Sequence, residues 1–264
     1  MLDDAATHGR QTVSVDLNCD MGEGMDTDTA IFPFISSANI ACGAHAGDED
    51  TMRRTIALAL THNVAIGAHP SYPDRAGFGR TDMLDKGLRP EDLPGIIHDQ
   101  LFTLQKICTE FGTHLSHVKP HGALYNRAAK DAAVSDLICQ TIAAFDPSLL
   151  LYGLSGSLMK PAAEQYELTF ISEVFADRTY QPDGSLTPRT SPYALIEDST
   201  AAMAQAVKMV RDGKVMAVSG EEISLTADTV CLHGDGVHAV EFAHAIRSTL
   251  MKNGICIYSP TKDN

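Results

Sequence analysis

Four histidines stand at comparable places in this chain. His45, His69, His121 and His233 each lie at or just beyond a short apolar run, beside glycine, proline or other turn-forming residues. Carboxylates accompany them. Asp20 and Glu23 fall in Asn18-Cys19-Asp20-Met21-Gly22-Glu23, Asp48 follows His45 in Gly43-Ala44-His45-Ala46-Gly47-Asp48, Asp177 precedes Arg178, and Asp235 closes His233-Gly234-Asp235. Imidazole titrates near neutral pH, so these groups suit general acid–base chemistry directly. The same atoms suit a divalent metal held by Asp20, His45 and His69 in mixed nitrogen and oxygen ligation. No His-x-x-x-His pair is present, so spacing does not choose between the two. One such histidine is as readily a hydrogen-bonded structural residue, a reading that weakens when four share equivalent positions.

Lys119, in His117-Val118-Lys119-Pro120-His121, ends an apolar run. A lysine aimed into the mouth of a barrel needs an anion beside it or a lowered pKa. It would clamp a carboxylate or phosphate, polarise a carbonyl oxygen, or form a buried ion pair with Asp20 or Glu173. His117 shares its strand face and lines the same interior. Arg178 and Arg189 are candidates for a bidentate grip on a carboxylate, with a solvated surface role equally open to Arg189. The familiar nucleotide and nucleophile signatures are absent: no Gly-x-x-x-x-Gly-Lys-Ser/Thr loop, no Gly-x-Gly-x-x-Gly after a strand and no Gly-x-Ser-x-Gly elbow. Gly77-Phe78-Gly79-Arg80 is glycine-rich but lies in a loop, and Gly153-Leu154-Ser155-Gly156-Ser157 reads as a tight turn and helix cap.

Elements that would position these groups alternate along the chain. Short apolar runs at Val13–Leu17, Ala38–Cys42, Val64–Ala68, Leu115–Lys119, Leu149–Gly153, Phe170–Phe175 and Thr229–Leu232 read as strands covered on both faces. Helical periodicity marks Glu49–His62, Glu91–Phe111, Ala132–Phe145, Ser157–Gln165, Ser199–Arg211 and Val237–Lys252, with Asp48 as an N-cap of the first and Gly213 as a C-cap of the fifth. Strand–helix alternation predicts an α/β fold with a parallel sheet, here a seven-stranded, TIM-like β/α barrel in a single domain over residues 1–264, with 1–12 as a flexible tail; an open doubly wound sheet is the alternative. In either fold the segments after the strands emerge on one face, so chemistry scattered over about 200 positions converges there. The longer stretch Thr179 to Asp228 predicts a flap over the site and, in its last part, a β-hairpin beside the barrel.

Composition narrows the partners. Lys and Arg number 20 against 34 Asp and Glu, a net charge of −14, so the surface repels phosphate backbones and anionic lipid, and neither nucleic acid nor a membrane surface is an expected partner. No apolar run reaches the ~18 residues of a membrane span, and Met1-Leu2-Asp3-Asp4 lacks the character of a secretory signal, so the cytoplasm is the expected location. The six cysteines are scattered without a Cys-x-x-Cys and read as reduced thiols.

The motifs themselves carry a resemblance. Asp16-Leu17-Asn18-Cys19-Asp20-Met21-Gly22-Glu23, Ala38-Asn39-Ile40-Ala41-Cys42-Gly43-Ala44-His45-Ala46-Gly47-Asp48, Gly67-Ala68-His69-Pro70-Ser71-Tyr72-Pro73-Asp74, Gly77-Phe78-Gly79-Arg80 and His117-Val118-Lys119-Pro120-His121-Gly122-Ala123-Leu124-Tyr125-Asn126 resemble, in order, the signatures of the LamB/YcsF family. Glu173-Val174-Phe175-Ala176-Asp177-Arg178, Asp183-Gly184-Ser185-Leu186 and Cys231-Leu232-His233-Gly234-Asp235 continue the match, with Ala44 where the family usually has Phe and Thr81 where a second Arg is common. The resemblance implies a barrel similar to the glycoside hydrolase/deacetylase fold. It implies ATP-dependent opening of 5-oxo-L-proline to L-glutamate, with Mg²⁺ expected beside ATP, together with 5-oxoprolinase subunits B and C; self-association stays open. On that footing Asp20, His45, His69, Lys119, His121, His233 and Asp235 are the expected catalytic residues, Lys119 holding the phosphate or lactam oxygen and Asp20 or Asp235 activating water. Asn18, Glu23, Tyr125, Glu173, Asp177 and Arg178 are the expected substrate contacts. The rival readings are a metal-dependent deacetylase or amidohydrolase and a non-catalytic protein that binds the lactam for its partners.

Overall fold

The computed structural model of the chain describes residues 13–232 and 238–261. The candidates His233 and Asp235 and the expected N-terminal tail lie outside those residues. Strand β1 (Ser14–Met21) leads through helix α1 (Asp28–Ile31) to β2 (Ser37–Ala41), α2 (Glu49–His62), β3 (Ala65–His69), α3 (Leu93–Glu110) and the two-residue β4 (His117–Val118). Then follow α4 (Gly122–Ala128), α5 (Ala132–Phe145), β5 (Leu150–Leu154), α6 (Met159–Gln165), β6 (Phe170–Phe175) and α7 (Ser199–Asp212). The chain continues through β7 (Lys214–Met216), β8 (Glu222–Ser224), β9 (Thr229–Leu232), α8 (Ala239–Lys252) and β10 (Cys256–Ile257).

Strands β1 to β6 and β9 pair in parallel, and β1 also pairs with β9, so the sheet closes on itself as a seven-stranded barrel. That closure excludes the open doubly wound sheet. The short β10 adds to the start of β1, where Ser14 lies opposite Cys256. Strands β7 and β8 form the antiparallel hairpin expected beside the barrel. Asp48 caps α2 by accepting from the Thr51 N–H, and Gly213 ends α7 in the left-handed region. All six cysteines are free thiols, five of them buried. Among the described residues no helix is long and apolar enough to cross a membrane.

Outward-facing strand residues such as Leu17, Cys19, Ile40, Ala68, Val118, Leu151, Val174 and Val230 are buried within one continuous apolar cluster, which also holds the inner faces of α2, α3, α5 and α8. The lumen is different. Barrel interiors are ordinarily filled by branched apolar side chains, but here Asp16, Asn18, Ser37, Asn39, His117, Lys119, Glu173 and Thr229 are all buried. They satisfy one another: Thr229 donates to Asp16 at 2.6 Å, Asn18 to Glu173 at 2.9 Å, and Asn39 to Asn18 at 2.8 Å. Gly67 makes room for this layer, since a Cβ there would lie 2.0 Å from the His117 ring.

The lumen also explains where the sequence reading placed a boundary too early. Strand β1 runs on to Met21 rather than ending at Leu17, because Asn18 and Asp20 point inward to partners instead of entering a loop. The fourth strand shrinks from the expected Leu115–Lys119 to two residues, and most of the Lys119-to-Asn126 motif that follows it lies in the helix Gly122–Ala128.

Candidate active site

Side chains from separate strand ends meet at the carboxyl mouth of the barrel. Asp20 is their hinge: its Oδ1 accepts from Lys119 Nζ at 2.9 Å and from Asn39 at 2.8 Å, while its Oδ2 lies 3.3 Å from His69 Nε2. Burial works to raise the Asp20 carboxyl, yet the neighbouring His69 and Lys119 hold it well below the usual carboxylate range.

On one side of Asp20 stands a lysine pocket. Lys119 is 3% exposed and donates to Glu173 Oε1 at 2.8 Å, Asn18 Oδ1 at 3.1 Å and Cys231 Sγ at 3.2 Å besides Asp20. Burial opposes its charge, but Asp20 and the acceptors around it keep the ammonium well above its ordinary value. Lys119 therefore forms the ion pair offered as one reading of the sequence, with both carboxylates at once. Phe175 presents its ring 5.8 Å from the ammonium. Glu173 Oε2 and the Tyr125 hydroxyl, both buried, make no well-aligned hydrogen bond among the described residues, although the Glu173 carboxylate lies close enough to act on the phenol. Burial, with the Glu173 charge next, pushes the Tyr125 phenol well up, so it remains a donor.

On the other side stands an imidazole pocket. His45 and His121 stack face to face with centroids 3.8 Å apart, and His69 meets both edge-on. Glu23 Oε1 lies 3.1 Å from His45 Nε2 and 3.4 Å from His121 Nδ1. Burial, then the charge of His69, lowers His45 and His121 to about 3, so both rings are neutral. His69 is the exception: burial opposes its charge but Asp20 raises it. Burial, and then Asp20, raises the Glu23 carboxyl. One ligand atom from each of Glu23, His45, His69 and His121 lies within 4.8 Å of the others, a grouping able to hold a metal ion. Of the metal set expected from the sequence, His45 and His69 belong to this grouping, and Asp20 lies beside it.

The walls come from residues to which sequence reading gave no role. Ser71, after β3, meets His45 Nδ1 at 2.9 Å and is itself held by Gln100 of α3. The loop Gly77-Phe78-Gly79-Arg80 folds over the imidazoles, the Phe78 carbonyl accepting from His121 Nε2 at 2.9 Å and its ring meeting His45 and His121 edge-on. Gly79 is required there twice over: its φ is +66°, and a Cβ would approach His121 Cδ2 to 2.6 Å. That glycine was the available signal in the sequence.

The excursion after β6 is tied down by Arg178. Its Nη2 donates to the Thr187 carbonyl at 2.6 Å and its Nε to the Ala194 carbonyl at 3.2 Å. The side chain expected to grip a substrate carboxylate is thus engaged in holding the excursion, and Asp177 beside it accepts from the Ile196 N–H through its backbone.

A closed parallel β/α barrel with carboxylates, imidazoles and a buried lysine at the carboxyl ends of its strands has the build of a barrel enzyme. Residues 15–264 match the LamB/YcsF family, and the chain belongs to that family. It is 51% identical over 249 residues to the A subunit of the 5-oxoprolinase of Bordetella parapertussis, covering 92% of this chain and 98% of the relative. The corresponding 5-oxoprolinase A subunit of Bacillus cytotoxicus is 47% identical over 253 residues, covering 94% of this chain and 99% of the relative. Among solved structures, a lactam utilization protein from Thermus thermophilus superposes with a TM-score of 0.87 at 39% identity, covering 94% of this chain and all of that one.

Proposed function

We propose that the chain works as the A subunit of an ATP-dependent 5-oxoprolinase, opening the lactam of 5-oxo-L-proline to L-glutamate in the cytoplasm together with subunits B and C. Relatives of that description at about half identity over nearly the whole chain support the assignment. The observation that carries the chemistry is the lysine pocket, where the buried Glu173 carboxylate and Tyr125 hydroxyl face each other and Glu173 Oε2 makes no well-aligned hydrogen bond among the described residues. A lactam presents one N–H donor and one carbonyl acceptor side by side. Glu173 Oε2 would receive the N–H and Tyr125 would donate to the carbonyl oxygen.

Lys119 bridges Asp20 and Glu173 and fixes both carboxylates in direction. Asp20, oriented by Lys119 at one oxygen and His69 at the other, would take the proton of a water attacking the lactam carbonyl and pass it to the leaving nitrogen. The described residues of this mouth offer a nucleotide little. Of its buried cations, Lys119 is already flanked by two carboxylates and Arg178 is engaged by backbone carbonyls, and an imidazole-rich donor set is foreign to Mg²⁺. ATP use therefore belongs to the complex, and no step in this pocket runs through it.

The test is reconstitution. Purified chain alone, then with subunits B and C, is assayed for 5-oxoproline-dependent ATP hydrolysis and glutamate release. Activity that needs all three chains is expected. Release of acetate from an acetylated amine, or of acid and amine from a simple amide, by this chain alone without ATP would favour the deacetylase or amidohydrolase reading instead.

A further inference from the structure

The imidazole pocket has a feature that the lactam reading does not use: the outer nitrogen of each ring is committed. His69 Nδ1 lies 2.7 Å from the Lys119 carbonyl and His121 Nε2 2.9 Å from the Phe78 carbonyl, and a carbonyl can only accept, so both nitrogens carry their protons there. The Ser71 hydroxyl donates to the Tyr72 carbonyl at 2.9 Å, so it receives from His45 Nδ1–H. With those protons fixed outside, His45 Nε2, His69 Nε2 and His121 Nδ1 turn lone pairs toward one another and Glu23 Oε1 unless an added proton sits on His69 Nε2, which also lies 3.3 Å from Asp20 Oδ2. Four acceptors facing inward repel unless a cation lies among them.

We propose that Glu23, His45, His69 and His121 form a four-ligand site for a divalent transition metal of the zinc class, with Ser71 and the Lys119 and Phe78 carbonyls fixing the three imidazole tautomers from outside. Metal-bound histidines characteristically donate their second N–H in this way. The spacing suits the ion. Bonds of about 2.0–2.1 Å in a tetrahedron place ligand atoms about 3.3 Å apart. The separations here are 2.9 Å for His69–His121, 3.1 Å for Glu23–His45, 3.4 Å for Glu23–His121 and 3.8 Å for Glu23–His69. Three borderline nitrogens and one carboxylate favour Zn²⁺ or Co²⁺ over Mg²⁺ or Ca²⁺, which take oxygen. A single proton shared between His69 and His121 is the competing cation.

The proposal stands apart from the lactam reading, and its test reads metal rather than turnover. Chelator-stripped full chain is titrated with Zn²⁺ by calorimetry and with Co²⁺ by visible absorption. One ion per chain is expected, with the intense d–d bands of a four-coordinate cobalt site. His121→Gln or Glu23→Gln should weaken Zn²⁺ binding at least about 100-fold, and Ser71→Ala, which leaves all four ligands in place, about 10–100-fold. Circular dichroism checks that each variant is folded; should the ligand variants fail to fold, Ser71→Ala carries the comparison. Folded wild-type chain that takes up neither ion, or that binds an ion as tightly in the variants, would overturn the site and leave the shared proton.

Discussion

The two halves of the barrel mouth solve the problem of buried polarity in opposite ways. The lysine pocket balances full charges: one ammonium against Asp20 and Glu173, each gripped at under 3 Å. The imidazole pocket sets two rings that burial lowers to about 3, and a third that Asp20 raises, around a carboxylate that burial pushes up. One half orients charge and leaves two polar atoms over for a guest; the other gathers lone pairs. Asp20 belongs to both, with one oxygen on Lys119 and the other on His69. Substitutions that take away one half's balance should therefore read differently from those that touch the other.

The largest effect is expected at Lys119. Lys119→Met leaves half-buried Asp20 and buried Glu173 facing each other without their cation, so the water-directing arrangement is lost. Turnover of 5-oxoproline by the reconstituted complex should fall by about 10³-fold or more, the scale of losing preorganised charge. Unchanged turnover with a normally folded chain would remove the lysine pocket from the chemistry. Asp20→Asn comes next, because it strikes the shared group: breaking a buried pair typically costs about 3–5 kcal/mol. Urea unfolding should show a loss in that range, against under about 1 kcal/mol for Glu23→Gln, whose carboxyl is already displaced toward its neutral form. Equal losses at the two positions would erase the distinction between the pockets.

How far the sequence foretold this follows the same division. Convergence at the strand ends was legible, because turn-rich clusters carrying His, Asp and Lys after apolar runs can only meet on one face of a parallel barrel. Asp20, His45, His69, Lys119 and His121 accordingly come together as expected. The depth of the polar lumen was not legible. Asn18 and Asp20 look like loop residues until Glu173, Thr229 and Asn39, which lie 19 to 211 positions away, supply their partners. Phe78 was equally hidden, since its φ of 54° is a tertiary imposition on a residue type that rarely adopts it. The carbonyls that Arg178 Nη2 and Nε hold were hidden too, since they come from its own excursion 9 and 16 residues on.

A smaller effect sharpens the comparison beneath the mouth. The lumen layer under both pockets depends on the missing side chain at Gly67, where a Cβ would sit 2.0 Å from His117 Nε2. That nitrogen lies 2.8 Å from Asn39 Oδ1, and Asn39 in turn donates to Asp20. Gly67→Ala forces the ring aside, with an expected cost of about 1–3 kcal/mol in chemical unfolding, as for other overpacked interiors. A loss near zero would mean that His117 moves freely and does not fix Asn39.

The smallest effect is a slope with pH. Burial, then the Lys119 charge, lowers His117 to about 3, whereas an unfolded histidine titrates near ~6.5. Between those two values the unfolded chain binds a proton at this position that the folded chain refuses. The unfolded state therefore gains on acidification, and stability falls as pH drops through the window. Each such group contributes at most about 1.4 kcal/mol per pH unit. His117→Gln removes one contributor while an amide still reaches toward Asn39, so the fall in stability from about pH 6 to 4 should become shallower by about that amount per unit. His45 and His121, also lowered to about 3, keep the slope from vanishing. An unaltered slope would place His117 in contact with water, and the polar lumen would then be a wet channel rather than the closed floor on which the two pockets stand.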